Sequence, residues 1–147
     1  MLRRLIKSGQ YDRVIGADFS EPMLLETARR IREEGLEEQE LIRLDVAQLP
    51  FKTTSLDAVH AGAALHCYPR IREALSEIHR VLKPGGKFYA STFLRSATIN
   101  VRQQSSSGFY FFEIQELKDL MVEAGFELGN VLVEQKGRGC AIIKCTK

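Results

Sequence analysis

Apolar residues along this chain fall into two alternating kinds of run: short ones of strand length, and longer ones that repeat at helical spacing. The first, MLRRLIKSGQYDR, carries Leu2, Leu5 and Ile6 on one face and reads as the back end of an amphipathic helix, with Gly9 at its C-cap. A strand is predicted around Arg13 to Ala17. Ser20 then stands as a helix N-cap, with Glu21 favourable at the positive helix end and Pro22 tolerated in the first turn. Leu24, Ala28 and Ile31 recur on the inner side of that helix, and the acidic stretch from Glu33 to Glu40 reads as a solvated helix end and loop. Further strands are predicted at Leu41 to Leu44, Leu56 to Ala61 and over KFYASTF. The stripe Ile71, Ala74, Leu75, Ile78, Val81 and Leu82 marks the clearest helix, stopped by KPGG. Another helix carries Ile114, Leu117, Leu120, Met121 and Ala124 inward and ends at Gly125, and two final strands lie near Phe126 to Val133 and Cys140 to Cys145.

Strands alternating with helices predict an α/β fold, a doubly wound and mostly parallel sheet covered on both faces. The last two strands, separated by QKGRG, predict an antiparallel C-terminal hairpin at one edge. The stretch from Arg95 to Phe112 has no periodicity, and a loop of that length in a compact domain is usually functional.

Composition narrows this only modestly. The 147 residues suit one domain, 1–147, with 44% hydrophobic and 27% charged residues. A formal charge of +2 from 21 basic and 19 acidic residues gives no basis for a nucleic-acid or anionic-membrane partner. No apolar run reaches the roughly 18 residues of a membrane span, and the N-terminus lacks the apolar core and cleavage site of a signal peptide. Cys67, Cys140 and Cys145 have no zinc or disulfide spacing, so no metal is predicted and they are expected as small buried hydrophobes. With no targeting segment, the cytoplasm is the default compartment.

In open α/β sheets ligands bind beyond the carboxyl ends of the strands. Asp18, Asp45 and the Ala61-Gly62-Ala63 segment all fall at predicted carboxyl ends. A carboxylate at Asp18 suits two vicinal ribose hydroxyls, since it accepts bidentately; a helix-cap or loop aspartate is the plainer alternative. Asp45 and the Val46 amide suit the exocyclic amine and a ring nitrogen of an adenine, against an ordinary turn aspartate. Phe19 and Met23 suit a base face or the core equally. His66 is the one candidate for a catalytic role, as base or hydrogen-bond partner to a substrate, against an ordinary loop histidine.

The stretches DFSEPML (18 to 24), LPF (49 to 51) and RVLKPGG (80 to 86), in this order and spacing, resemble the class I S-adenosylmethionine-dependent methyltransferases of the ubiquinone/menaquinone-biosynthesis branch. LDAVHAGAALHCYP further resembles uncharacterised plant chloroplast methyltransferases, in which a tryptophan is usual at the position of Tyr68. The resemblance implies a Rossmann-like fold and S-adenosylmethionine as cofactor. It places Asp18 at the ribose, Asp45 and Val46 at the adenine, and Gly62, Ala63 and Ala64 near the methionine portion, and Phe19 is counted with the cofactor-binding residues for the contact its ring can make with a base face. It also implies a small-molecule methyl acceptor and, for a plant or algal gene, a chloroplast location. RVLKPGG is expected mainly to end a helix.

The family's first strand and its glycine-rich turn are not found in this chain, which reads as a domain lacking them. Two charge-assisted bonds to the cofactor carboxylate would go with that turn, at about 1.5 to 3 kcal/mol each, weakening binding by roughly two to four orders of magnitude. The strands ending at Asp18 and Ala61 are then expected to keep unpaired edges, open to self-association. Two other functions stay open. A non-catalytic methyltransferase-like remnant would act as an interaction module. A nicotinamide-dependent oxidoreductase shares the acidic residue after the second strand, but LPF, RVLKPGG and the lack of a Tyr-x-x-x-Lys pair stand against it.

Overall fold

A computed structural model describes residues 1–37, 39–95 and 108–147. The unpatterned loop expected between Arg95 and Phe112 therefore lies largely outside the described residues. Contacts divide the chain into two compact units, residues 1–45 and 46–147.

The first unit runs α1 (Leu2–Ser8), β1 (Ile15–Asp18), α2 (Glu21–Glu33) and β2 (Glu40–Arg43), with β1 and β2 paired in parallel. Gly9 caps α1 in the left-handed conformation, as the pattern predicted. The strands are displaced slightly from the predicted spans, β1 starting later and running through Asp18. Gly16 is where side chains close over this small sheet: a Cβ there would stand 2.6 Å from Leu41 Cδ2 and 2.7 Å from Leu2 Cδ2. Ile31 is the one fully buried apolar side chain of this unit among the described residues, so the core of residues 1–45 is thin. Exposed ion pairs from Glu34 to Arg3 and Lys7 join the end of α2 to α1, a link of small energetic value.

The second unit contains β3 (Leu56–Ala61), α3 (Ile71–Val81), β4 (Leu82–Phe93), α4 (Ile114–Glu123), β5 (Val131–Lys136) and β6 (Cys140–Thr146). Its sheet has the order β3-β4-β6-β5, with β3 parallel to β4 and the other pairs antiparallel. The C-terminal hairpin is present, and β6 rather than β5 lies against β4. Over the described residues two strand pairs are parallel and two, those of the C-terminal hairpin and its junction with β4, are antiparallel.

Phe88, Ala90, Ala141 and Ile143 line the buried side of this sheet and pack in one cluster with Leu75 and Ile78 of α3, Leu117 and Met121 of α4, and Phe112 and Phe126. At about 25 cal/mol per Å² of apolar surface, this cluster is the main stabilising element of the unit.

Two spans differ from the prediction. KPGG does not simply separate helix from strand: the extended chain resumes at Leu82, and the register then jumps from Leu56↔Leu82 to Ala58↔Lys87, leaving Lys83 to Gly86 as a bulge. Gly85 holds φ +77 there and donates to the Lys147 carbonyl at 2.7 Å. The strand expected from Phe126 begins only at Val131, because Leu128–Asn130 form a 3-10 turn. Of the cysteines only Cys145 is buried, its thiol pushed up to about 12 by burial; Cys140 is half-buried and Cys67, in a surface turn, is exposed.

Two predictions follow from this packing. Gly125 holds φ +109, and a Cβ there would meet the His79 ring at 2.8 Å, a ring itself packed edge-on against Phe126. Gly125→Ala should therefore cost more than about 1 kcal/mol, read by chemical denaturation. Burial also pushes the imidazoles of His66 and His79 below their ordinary value of 6.5. Below that pH the unfolded chain binds protons that the folded chain refuses, so stability is complete above 6.5 and declines as pH falls toward the depressed folded values. Thermal midpoints should hold between pH 7.5 and pH 6.5 and then fall as the pH is lowered to 5.5.

Candidate functional site

At the carboxyl end of β1 the last strand residue is Asp18, exposed, with Oδ1 accepting a hydrogen bond from the Ser20 amide at 2.8 Å. That bond closes a turn at the strand end, and the cap expected of the Ser20 hydroxyl is not formed: Ser20 holds the N-cap position of α2 without a side-chain cap hydrogen bond. The turn role of Asp18 and a ligand role are compatible, since a carboxylate offers about four lone-pair sites. Phe19 projects into solvent, 69% exposed, with the Arg43 guanidinium 5.7 Å from its ring centroid and Arg43 Nε donating to its carbonyl at 3.1 Å. Met23 is likewise exposed and not part of the core.

The parallel register sets Asp18 opposite Arg43, and the Leu44 amide donates to the Asp18 carbonyl at 3.1 Å. Asp45 follows directly, half-buried, so Asp18 and Asp45 stand at the same end of the β1–β2 pair.

In the second unit, Val46 is half-buried against the hydrophobic cluster. Gly62, Ala63 and Ala64 leave the carboxyl end of β3 in a tight turn. Ala63 holds φ +51, an uncommon conformation for a residue with a Cβ, and its amide donates to Ser91 Oγ at 2.8 Å. Gly62 fits close to a ring, since a Cβ there would lie 2.8 Å from His60 Cε1. Small residues therefore leave backbone exposed at this strand end.

His66 is not a loop histidine. It lies in a 3-10 turn, Leu65–Cys67, and is only 7% exposed. Its ring packs 4.6 Å from Phe93 and 5.4 Å from Phe109, and Nδ1 faces Thr92 Oγ1 at 3.4 Å. The Tyr110 amide donates to the His66 carbonyl at 2.9 Å. Every buried side-chain nitrogen or oxygen among the described residues has a partner, and no bond to His66 Nε2 is formed among them. Desolvation favours the neutral imidazole.

The sequence reading did not anticipate Arg43, Ser91 or Thr92. Arg43 and Ser91 serve the backbone of predicted site residues through side chains from neighbouring strands. No local motif marks such partners.

As chemistry, the donor set fits a nucleoside with a free ribose. Asp18 and Asp45 offer carboxylate acceptors for hydroxyls and an exocyclic amine, and Phe19 offers an exposed ring face.

Comparison with known proteins gives the family. A methyltransferase-domain family model matches residues 1–90. An uncharacterized chloroplastic methyltransferase of Arabidopsis thaliana is 39% identical over 137 residues, covering 84% of this chain and 39% of the relative. A demethylmenaquinone methyltransferase of Oceanobacillus iheyensis is 34% identical over 104 residues, 71% of this chain and 42% of that protein. The chain thus spans about two-fifths of the length of these relatives. Among solved structures, the [4+2]-cyclase SpnF aligns at TM-score 0.83 and 21% identity, over 99% of this chain and 69% of that one. A SAM-dependent methyltransferase from Methanosarcina mazei aligns at TM-score 0.81 and 20% identity, over 99% of this chain and 85% of its own. These likenesses establish a Rossmann-like α/β fold of the kind the sequence predicted. With the family match covering more than half of its length, the chain belongs to the methyltransferase-domain family.

Proposed function

We propose that this chain is a domain of an S-adenosylmethionine-dependent methyltransferase acting on a small-molecule acceptor. The observation that carries the reading is the exposed Asp18 carboxylate at the carboxyl end of β1, with Asp45 beside it at the end of β2. Asp18 holds the ribose hydroxyls, with Phe19 alongside the nucleoside. Asp45 and the Val46 amide hold the adenine, and the exposed backbone of Gly62, Ala63 and Ala64 lines the methionine portion. When bound, S-adenosylmethionine supplies an activated methyl group.

His66 serves the acceptor. In the tautomer that donates Nδ1–H to Thr92 Oγ1, Nε2 keeps a lone pair for the proton of the attacking nucleophile, and burial favours the neutral imidazole. Orientation of the acceptor against the methyl group does the rest of the work, which needs neither a covalent intermediate nor a metal. The plastid is the proposed compartment for a plant or algal source, in line with the chloroplastic relative, and the cytoplasm otherwise. No helix among the described residues is long and apolar enough to cross a membrane.

A second reading, an interaction module, has one observation in its favour. Within the four-stranded sheet β3 pairs only with β4, leaving its other edge unpaired among the described residues, a template for another strand. Self-association through that edge is its consequence.

Titration of the chain with S-adenosylhomocysteine, followed by NMR so that millimolar affinity is measurable, separates the two. The methyltransferase reading expects saturable binding, made about ten- to a hundredfold weaker by Asp18→Asn through loss of a charge-assisted bond. Absence of binding together with concentration-dependent dimers in sedimentation would leave only the interaction module. The His66 imidazole should titrate below 6.5 in an NMR pH series, and a midpoint above that value would remove it as a neutral base.

A further inference from the structure

One guanidinium makes three of the bonds that hold the loop after Val46. Arg80, in the last turn of α3, donates from Nη2 to the Leu49 carbonyl at 3.0 Å, and from Nη1 to the Phe51 carbonyl at 2.9 Å and Thr53 Oγ1 at 3.2 Å. Its Nε and Nη2 also grip Glu77 one turn earlier, at 2.6 and 2.8 Å. These contacts match the five N–H donors of an arginine, leaving none spare. Glu77 completes the knot by accepting the Leu49 amide at 2.8 Å, so Leu49 is tied at both its N–H and its C=O. The Arg80 main-chain carbonyl then takes the Thr54 amide at 3.0 Å, and the Val81 carbonyl takes that of Ser55 at 2.8 Å.

The two motifs singled out in the sequence, LPF and RVLKPGG, are therefore parts of one structure. The arginine of the second binds the backbone of the first. Surface ion pairs contribute little, but this pair is bidentate, partly shielded and committed to backbone groups with few other partners. The guanidinium holds the Glu77 carboxyl below its usual range, and the Leu49 amide adds to that.

We infer that Arg80 and Glu77 are positioning residues for the cofactor's adenine, acting through the loop that begins at Val46. The inference rests on the function proposed above. Val46 stands three residues before Leu49 and packs on the same hydrophobic cluster as Leu49. Its amide can meet a purine ring nitrogen repeatedly only if the turn that carries it is fixed, and Leu49, just beyond that turn, is bonded at both N–H and C=O from α3. Lysine cannot replace Arg80, because a compact ammonium with three donors cannot span two carbonyls and a carboxylate at once.

The test uses Arg80→Gln, Arg80→Lys and the milder Glu77→Gln, which keeps an acceptor for the Leu49 amide, so that a folded variant remains if Arg80→Gln fails to fold. The first readout is amide hydrogen exchange, in the absence of ligand. Exchange at Leu49 to Ser55 should accelerate at least about tenfold over its change in α4 and β6, whose bonds do not involve Arg80. Unchanged exchange in that loop overturns the pinning.

The second readout is the affinity ratio of S-adenosylhomocysteine to S-inosylhomocysteine, measured by NMR titration. Wild type should prefer the adenosyl compound, and the variants should shrink that preference by about five- to tenfold. A purely structural role would lower stability and leave the ratio unchanged, which would overturn the inference. Binding of neither compound by wild type overturns the cofactor reading itself, and with it the link from this knot to adenine.

Discussion

β4 is the strand on which the larger unit depends. It is hydrogen-bonded on both edges, in parallel to β3 and antiparallel to β6. Alternate residues along it, Phe88, Ala90 and Thr92, point into the cluster under α3 and α4 while Lys87, Tyr89 and Phe93 face outward. A strand paired on both sides cannot slip by one residue without turning its whole apolar row to solvent. That constraint sets where β3 must end, and so where the Gly62 to Ala64 turn lies. Ser91, on the same strand, then reaches the Ala63 amide, and Thr92 reaches His66. The candidate chemistry of this unit is laid out by the register of one strand.

The smaller unit works on a different balance. Its two strands are short, one apolar side chain is fully buried among the described residues, and exposed ion pairs add little. What it does possess is local backbone order: Asp18 bonded to the amide that opens α2, and Arg43 bonded to the carbonyl of Phe19. These contacts shape a strand end closely while contributing little to global stability. A binding edge built this way opens and closes more easily than one set over a large core.

Much of this was legible in the chain because the signals are local. The stripe from Ile71 to Leu82 announced α3, Gly9 and Gly125 closed helices where expected, and the parallel-then-antiparallel order followed from helix spacing and a short turn. What was not legible depends on residues distant in sequence. KPGG reads as a stop signal, yet pairing of Leu56 with Leu82 carries the strand through it and makes it a bulge. Leu128 continues an apolar run but falls in a 3-10 turn, because pairing with β6 begins only at Val131. Nothing near His66 in sequence reveals that Phe93, Phe109 and Thr92 close around it, so the sequence leaves open whether it is a base or an ordinary loop histidine. The pairing of β6 rather than β5 with β4 likewise cannot be read from two strands of similar composition.

The arginine knot at Arg80 also bears on how the loop from Leu49 to Ser55 can be altered. Because all five guanidinium donors are taken, two by Glu77 and three by the loop's Leu49 and Phe51 carbonyls and Thr53 hydroxyl, the loop tolerates changes of side chain more readily than changes of length. Inserting one residue between Leu49 and Thr53 would leave a carbonyl without its donor and a donor without its carbonyl. Anyone transplanting this loop to another scaffold, or lengthening it to reshape the adjoining surface, would have to move Glu77 and Arg80 with it as a single cassette.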